Sequence, residues 1–308
     1  MTSAFFIIEC GVSSGLGHIR RSLVLADALR KKGVRCQFSL TSDIALPMVK
    51  QFGFKDILEL VDIPADVDIL IVDGNAFSKK QINQWGKASS LFCLIDDNGA
   101  RPKKSDVIIN PNLYAKSVSY EKYEADKFLL GPEYHLIAPD FFAASLRREI
   151  EYLISFGGTD NGRLAGPLIK HLQSRTDKKI VWAVPPHISP HADLLALADS
   201  SENFSLEIDA SIPDVLAKAH CFIGGAGAMV SEAIASDCSV VTCAIVPDQD
   251  NNIEFLAALG LPAFSQFDVD LILKAALSYD KYPKPHMELK ANGPDNIAAK
   301  LISWLEGR

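Results

Sequence analysis

A histidine stands at the start of a helical segment in the stretch GVSSGLGHIRRSLVLADALRKKG, residues 11–33. The positive end of a helix dipole disfavours protonation, so His18 is expected to be a neutral imidazole near pH 7 that can act as a general base. Gly15 and Gly17 let the preceding loop turn tightly and come close to a ligand. The alternative is that His18 is only the first polar residue of a buried helix.

The same loop lacks the pattern of a dinucleotide site. Its glycines are not spaced as GxGxxG, and no acidic residue ends the second apolar run near residue 40. Binding of a dinucleotide is therefore disfavoured, and no cofactor is expected.

Another glycine-rich turn, ISFGGTDNGR, follows an apolar run later in the chain. Gly157 and Gly158 come directly after the run, and Thr159, Asp160 and Asn161 can cap the next helix. Taken alone, the turn is equally compatible with a plain strand-to-helix connection. Its place favours a ligand site, because ligands of open α/β sheets bind beyond the carboxyl ends of the strands.

A third turn of this kind lies in FIGGAGAMVSEAIA. Gly224, Gly225 and Gly227 precede a helix that carries Glu232. Amides of such a loop can cradle a diphosphate, while a carboxylate about one turn into the helix can bind vicinal hydroxyls. A glutamate in an otherwise apolar helix is costly to bury unless it is paired, so the pattern favours a functional role.

Carboxylates end two apolar runs in the first half of the chain. Asp73 ends LIVD, and Asp96 and Asp97 end LIDD. These residues either cap turns and pair with Arg101 or contribute to a site. A metal site built from Asp96 and Asp97 stays an alternative, but adjacent residues rarely face one ion, and no metal is predicted.

Composition limits the classes of protein to consider. The chain has 308 residues, of which 48% are hydrophobic and 22% charged, and its net charge of −7 leaves no basic surface for nucleic acid. Six cysteines without a CxxC pair favour reduced, buried thiols and a cytoplasmic location. We expect no stable membrane insertion and a monomer or weak dimer. The remaining histidines, for which surface or turn positions are expected, are at positions 135, 171, 187, 191, 220 and 286.

Short apolar runs alternate with segments of helical period along most of the chain. This alternation predicts β-α-β units on a parallel sheet. The pattern pauses over residues 111–148 and resumes at EYLISFGG, which predicts two doubly wound domains, residues 1–145 and 146–308. The last segment, GPDNIAAKLISWLEGR, predicts a closing helix of the second domain, capped by Asp295 or Asn296.

Five blocks of sequence, in this order, resemble a known family. They are GLGHIRRSLVLADAL, LIDDNGARPKKSDVIINPNLYAKSVSY, LLGPEYHLIAPDF, ISFGGTD and GGAGAMVSEAIA. Together they are similar to the UDP-sugar hydrolases of the pseudaminic acid pathway, which are relatives of the lipid-linked glycosyltransferase that makes the peptidoglycan disaccharide. The resemblance implies a GT-B architecture of two Rossmann-like domains that face a cleft.

The resemblance also implies an activity and the residues that carry it out. The expected reaction is metal-independent hydrolysis of a UDP-linked 2,4-diacetamido-2,4,6-trideoxyhexose to UDP and free sugar in nonulosonic acid biosynthesis. His18 matches the catalytic base of the N-terminal, sugar-side domain, and the C-terminal domain is expected to bind the nucleotide. The candidate substrate- and nucleotide-binding residues are Gly15, Gly17, Arg21, Asp73, Asp97, Gly157, Gly158, Thr159, Gly225, Gly227, Ala228, Glu232 and Gln249.

The chain departs from the family pattern on the sugar side. Ile7 and Glu9 stand nearest to the positions where the family has an arginine and an aspartate, and Asn75 follows Asp73-Gly74 where the family has a tyrosine. These changes point to a related aminodeoxy sugar as an alternative substrate. A GT-B glycosyltransferase with a UDP-sugar donor and a non-catalytic nucleotide-sugar-binding protein are the other two hypotheses.

Overall fold

The protein is described by a computed structural model, in which the chain forms two compact units. The first comprises Met1–Ala138 together with Glu288–Arg308, and the second is Pro139–Met287. The structure describes residues 1–11, 16–58, 64, 67–75, 77–99, 104–143, 147–158, 160–285, 287 and 289–307.

The first unit is built on six parallel strands in the order β2-β1-β3-β4-β5-β6. Alternate residues of β1 enter two different cores, Phe6 on one face of the sheet and Phe5 on the other. Both faces are therefore covered, which explains why these strands read as continuous apolar runs. The strands are β1 (Ser3–Ile8), β2 (Arg35–Leu40), β3 (Val67–Asp73), β4 (Ser89–Ile95), β5 (Val107–Asn110) and β6 (Lys127–Leu130).

Helices cover both faces of this first sheet. One face packs against α1 and α10 through Leu23 and Leu301, and the other packs against α3 through Ile82. Ser78 begins α3 with a capping box in which its side chain and that of Gln81 bond each other's backbone N–H. The helices are α1 (Gly17–Lys31), α2 (Leu46–Gln51), α3 (Lys79–Trp85) and α10 (Gly293–Glu306).

The second unit repeats the design with strands in the order β12-β11-β10-β7-β8-β9, all parallel. Trp182 of β8 is the largest of its fully buried side chains. Its strands are β7 (Ile150–Ser155), β8 (Ile180–Val184), β9 (Phe204–Ile208), β10 (Ala219–Gly225), β11 (Ser239–Cys243) and β12 (Ala263–Phe264). Its helices are α4 (Ala165–Gln173), α5 (Ala192–Ser200), α6 (Ile212–Ala217), α7 (Ala228–Ala235), α8 (Asp250–Ala258) and α9 (Val269–Ala276).

The predicted fold class is confirmed, since two parallel six-stranded sheets with helices are present. Two edge strands were not predicted. In β6 only Leu129 is buried, and β12 has two half-buried residues, so neither forms the long apolar run that identifies a central strand.

The C-terminal helix begins at a different residue from the one predicted, and it packs against the other unit. Helix α10 begins at Gly293, with Pro294 in its first turn, rather than after a cap at Asp295 or Asn296. Ile297 and Leu301 enter the core that also contains α1, so the helix belongs to the first unit. The chain divides after Ala138 and not at 145–146. Apolar pattern shows that a helix buries one face, but it does not say against which sheet.

The cysteines are free and buried, as their apolar surroundings predicted. Burial raises the pKa of the Cys36 thiol to about 12 and that of Cys238 to about 11. Neither thiol is therefore reactive at neutral pH.

Candidate active site and nucleotide-binding loops

Each sheet has one place where the strand order reverses direction. In the first unit it lies between β1 and β3, and in the second between β7 and β10. Loops leave these neighbouring strands in opposite directions and open a crevice, where α/β proteins bind their ligands. His18 and Asp73 lie at the first of these points, and two glycine-rich turns lie at the second.

His18 and Asp73 are in direct contact. The Nδ1 atom of His18 lies 2.7 Å from Oδ1 of Asp73, and the hydroxyl of Ser22 donates to Oδ2 at 3.0 Å. Since a carboxylate only accepts, Nδ1 carries the hydrogen, which leaves the lone pair of a neutral ring on Nε2. The side chain of His18 is 16% exposed and that of Asp73 fully buried, so the imidazole is the member of the pair that solvent can reach.

Arg21 joins Asp73 to Asp97. Its Nε and one terminal nitrogen donate to the two oxygens of Asp73 at 2.7 and 2.6 Å. The other terminal nitrogen donates to both oxygens of Asp97 at 2.7 and 3.0 Å. The side-chain amide of Asn112 donates to Asp97 from β5's carboxyl end at 2.7 Å. Arg21, Asp73 and Asp97, predicted as separate substrate-binding groups, thus form one network with His18.

The electrostatics of His18 differ from the expectation based on the helix dipole. Burial lowers the pKa of His18, but the attraction of Asp73 and the hydrogen bond to it outweigh burial and the repulsion from Arg21, so the pKa is raised. Burial raises the pKa of Asp73, yet Arg21 and His18 bring it well below its usual range. The net shift is opposite to the one expected from the helix dipole, because a buried carboxylate at contact distance exerts the stronger field.

Asp96 has a structural role. Its Oδ1 accepts from the backbone N–H groups of Asn98 and Gly99 at 3.2 and 2.8 Å, and its Oδ2 accepts from the hydroxyl of Tyr123 at 2.7 Å. Asp97 instead bonds Arg21, so the two adjacent carboxylates serve different partners. Across the described ranges, no group of three or more His, Cys, Asp or Glu is arranged to hold a metal ion.

The departures from the family pattern fall in two different environments. Ile7 is fully buried in a hydrophobic core, so it takes no part in a polar site. Glu9 accepts a hydrogen bond from the backbone N–H of Asn75 at 2.5 Å, and its own backbone N–H donates to the carbonyl of Asp73 at 2.8 Å. Gly74 adopts φ +153°, and a Cβ there would come within 2.4 Å of the Glu9 side chain. Glu9 and Asn75, the two polar residues that depart from the family pattern, therefore contact each other beside Asp73.

The two glycine-rich turns of the second unit start side by side. Gly224 of β10 pairs in register with Ser155 of β7, and a Cβ at Gly224 would lie 2.1 Å from the Ser155 carbonyl oxygen. Gly157 is exposed with φ +86°, a conformation that favours glycine. Glycine is therefore needed at Gly224 for a close approach of two backbones and favoured at Gly157 by a left-handed turn.

Asp160 bonds the first backbone N–H of α4 from outside the helix, whereas the N-cap position itself is occupied by Leu164 without a side-chain cap. Its carboxylate accepts from the backbone N–H groups of Gly162, Leu164 and Ala165 at 3.2, 3.0 and 3.0 Å. Asp160 is buried and accepts all of these bonds, so it holds the chain that leads from the turn into α4.

Side chains from α8 and the segment before it fix the second turn. The amide oxygen of Gln249 accepts from the backbone N–H of Ile245 at 2.9 Å, and its Nε2 lies 3.4 Å from where a Cβ of Gly227 would be. Asn252 donates to the carbonyl of Ala226 at 2.8 Å. Sequence reasoning identified Gln249 but missed Asn252, whose role depends on a contact across 26 residues.

Glu232 lies on α7, one turn after Ala228, the first residue of that helix. Its side chain is buried at 6% relative exposure in a helix whose other buried residues are apolar. Gly227 precedes the helix and has no side chain to cap it. This is the predicted layout of a glycine-rich turn followed by a buried carboxylate.

Some predicted positions lie outside the described residues, namely Gly15, Arg101, Thr159 and His286. Among the other histidines, those at 171, 187, 191 and 220 are exposed, as expected. His135 is buried, against expectation: its Nε2 donates to the carbonyl of Lys290 at 2.5 Å and its Nδ1 accepts from the N–H of Ile137 at 3.1 Å. Burial lowers its pKa, so His135 is a neutral structural link to the C-terminal segment.

Within the described part of the chain, no helix combines the length and apolar character needed to cross a bilayer.

The two sheets and their loops define the GT-B fold of glycosyltransferases. MurG of Acinetobacter baumannii shares it with a TM-score of 0.59 and 15% identity, over 98% of this chain and 100% of that one. The spinosyn rhamnosyltransferase SpnG, complexed with thymidine diphosphate, has a TM-score of 0.66 and 13% identity, over 100% and 96%.

Sequence comparison identifies a relative with the expected activity. The UDP-2,4-diacetamido-2,4,6-trideoxy-beta-L-altropyranose hydrolase of Campylobacter jejuni is 27% identical to this chain over 258 residues, which cover 80% of the chain and 93% of the relative. No family model matches the chain. The resemblance to this hydrolase, stated above from five sequence blocks, is confirmed.

Proposed function

We propose that this protein hydrolyses a UDP-linked 2,4-diacetamido-2,4,6-trideoxyhexose, or a related aminodeoxy sugar, to UDP and the free sugar. The observation that carries the proposal is the contact between His18 and Asp73, which supports a histidine base with its Nε2 lone pair available. The similarity to the Campylobacter jejuni hydrolase supports the reaction type and the substrate class.

The proposed chemistry needs one base. His18 Nε2 takes a proton from water as the water oxygen forms a bond to the anomeric carbon, and the bond from that carbon to the UDP oxygen breaks. Asp73 stabilises the imidazolium that forms, through its hydrogen bond to Nδ1. UDP departs with the bonding electron pair, and it is a good leaving group because the diphosphate delocalises that charge. A single displacement of this kind inverts the configuration of the anomeric carbon.

The second unit is assigned to the nucleotide. The glycine-rich turn at Gly225–Gly227 leads into α7, whose N-terminal amides and dipole favour a diphosphate. Gln249 Nε2 beside Gly227 is a further donor for that group, and Gly157 and Gly158 supply the neighbouring turn. Glu232 is assigned to the ribose hydroxyls. No metal or cofactor is required by this scheme, since helix amides take the place of a cation at the leaving group.

Two residues that differ from the family pattern, Glu9 and Asn75, lie in the region assigned to the sugar. Glu9 and Asn75 occupy the carboxyl ends of β1 and β3, next to the His18–Asp73 pair. A glutamate in this position favours hydrogen-bond donors, such as the hydroxyl and acetamido N–H groups of an aminodeoxy sugar. We therefore propose the same class of sugar with an altered pattern of substituents as the alternative substrate.

The test is an NMR time course with the UDP-linked diacetamido trideoxyhexose, without acceptor and without added metal, for the wild type and His18→Asn. Release of UDP and free sugar over many turnovers by the wild type alone supports hydrolysis with His18 as base. Running the reaction in ¹⁸O-labelled water adds a second criterion, because attack at the anomeric carbon places the label in the sugar. Label in UDP would contradict the mechanism.

A glycosyltransferase is the second candidate, favoured by the similarity of the fold to MurG and SpnG. In that case His18 would activate a hydroxyl of an acceptor instead of water. Trace release without acceptor, together with rapid turnover when a sugar acceptor is added, would support the transferase. Tight UDP binding with no turnover under either condition would support the third hypothesis, a non-catalytic binding protein.

A further inference from the structure

Among the residues that the structure describes, the network of His18, Arg21, Asp73 and Asp97 contains one more negative charge than positive charge when the imidazole is neutral. The groups facing the imidazole come from three elements: Asp73 at the end of β3, Arg21 on α1 and Asp97 after β4. Glu9, at the end of β1, directs its carboxylate to the backbone N–H of Asn75. With a neutral imidazole, two carboxylates surround one guanidinium, and a proton on His18 balances the charge.

Arg21 by itself opposes that proton. Its terminal nitrogen lies 3.0 Å from Nδ1 of His18 and donates to the same Asp73 oxygen that accepts from the imidazole. If Asp73 were the only carboxylate present, the guanidinium would neutralise it, and Asp73 would stabilise the imidazolium much less. A second carboxylate on the far side of Arg21 offsets the guanidinium and so adds to the effect of Asp73, which is the larger of the two.

Asp97 is that carboxylate. One terminal nitrogen of Arg21 contacts both oxygens of Asp97, whereas its Nε and other terminal nitrogen form the two-nitrogen bidentate pair with Asp73. Asn112 donates to Oδ1 at 2.7 Å, and Asn110 donates to the backbone carbonyl of Asp97 at 2.9 Å. These bonds hold Asp97 against Arg21 from the carboxyl end of β5.

The geometry points to Asp97 as a positioning residue that acts on His18 through Arg21, balancing the guanidinium so that Asp73 stabilises the proton taken up by His18. This inference rests on the proposed function for its catalytic meaning, but the titration of His18 tests it independently of any substrate. Asp97 itself does not touch the reacting atoms in this scheme, which differs from its expected role in substrate binding.

The test compares Asp97→Asn with Asp27→Asn, which removes one carboxylate from an exposed ion pair on the same helix as His18. The imidazole signal of His18, assigned by its loss in His18→Asn, is titrated by NMR in the free protein. We expect the pKa of His18 to fall in Asp97→Asn and to be unchanged in Asp27→Asn. Asp97→Ser provides a second neutral replacement if the asparagine variant does not fold.

Kinetics then add a catalytic readout. In Asp97→Asn the acid limb of the pH–rate profile should move to lower pH, and the plateau rate should fall about threefold, because a weaker base accepts the proton less readily. KM for the UDP-sugar should be unchanged, whereas a direct substrate contact would raise it. An unaltered His18 titration in a folded Asp97→Asn protein would overturn the inference. A shifted titration in a protein without hydrolase activity would instead reject the proposed function alone.

Discussion

His18 Nδ1 and Asp73 Oδ1 are 2.7 Å apart although 55 residues separate them in the chain. The contact forms because α1 follows β1 in the chain and β1 pairs with β3, whose last residue is Asp73. Hydrogen bonding selects the imidazole tautomer and at the same time stabilises its protonated form.

Replacing His18 by asparagine should lower the rate of hydrolysis by a factor on the order of 10² to 10⁴, the usual contribution of one general base. UDP affinity, measured by isothermal titration calorimetry, should be unchanged because the nucleotide is assigned to the second unit. His220→Asn is the matched control, since His220 is exposed on β10. A fully active His18→Asn protein would remove His18 from the mechanism.

The pH dependence of the rate should report the raised pKa of His18. The base works only when neutral, so the rate should rise with pH through an apparent pKa above the ordinary histidine value of 6.5. Asp73→Asn removes the strongest attraction for the proton, so the acid limb should move to lower pH and the plateau should fall at least 10²-fold. The measurement is kcat/KM between pH 5 and 9. An acid limb that stays in place in Asp73→Asn would contradict the assignment.

Stability should depend on pH with opposite signs for the two residues. The pKa of Asp73 is lower in the folded protein, so its contribution is present above the unfolded value of 3.8 and is lost as pH falls below it. The pKa of His18 is higher in the folded protein, so its contribution is present below 6.5 and is lost as pH rises through the folded value. The free energy of unfolding, measured with urea between pH 3 and 8, should therefore rise with pH at the acid end and fall at the upper end. Both dependences on pH should be weaker in Asp73→Asn.

Glu232→Gln should weaken UDP binding about tenfold or more, because a charged acceptor for two hydroxyls becomes a neutral one. At saturating substrate the rate should change much less, since Glu232 is assigned to the ribose and takes no part in the proton transfer to His18. Glu207→Gln serves as the control, with the same chemical change on the exposed part of edge strand β9. Wild-type UDP affinity in Glu232→Gln would argue against the ribose assignment.

Two glycine-to-alanine variants should behave differently. A Cβ at Gly224 meets the Ser155 carbonyl at 2.1 Å, so Gly224→Ala should lower the free energy of unfolding by about 1–3 kcal/mol, the usual cost of overpacking. A Cβ at Gly17 meets nothing within 4 Å, so Gly17→Ala should be as stable as the wild type. If Gly17 serves close approach of the ligand, its variant should be stable but raise KM. Chemical denaturation and steady-state kinetics measure both effects.

The sequence by itself determined the fold class and most of the elements. Apolar runs such as VDILIVD match strand β3 over its full length, because a parallel strand is buried on both faces and tolerates few polar residues. The helix that carries His18 was also predicted from periodicity, and it starts at Gly17. The two glycine-rich turns of the second unit could be located for a similar reason, since tight turns at strand ends restrict which residues they admit.

Only the tertiary structure decided how the polar residues are used. Spacing placed Arg21, Asp73 and Asp97 near strand ends and helix starts, but the sheet order brought them together, so they bind one another and support His18. Sequence patterns likewise could not assign α10 to the first unit or bury His135 beneath it. Local sequence governs which face of an element is apolar, whereas the partner of that face and the pairing of charges depend on contacts between distant segments.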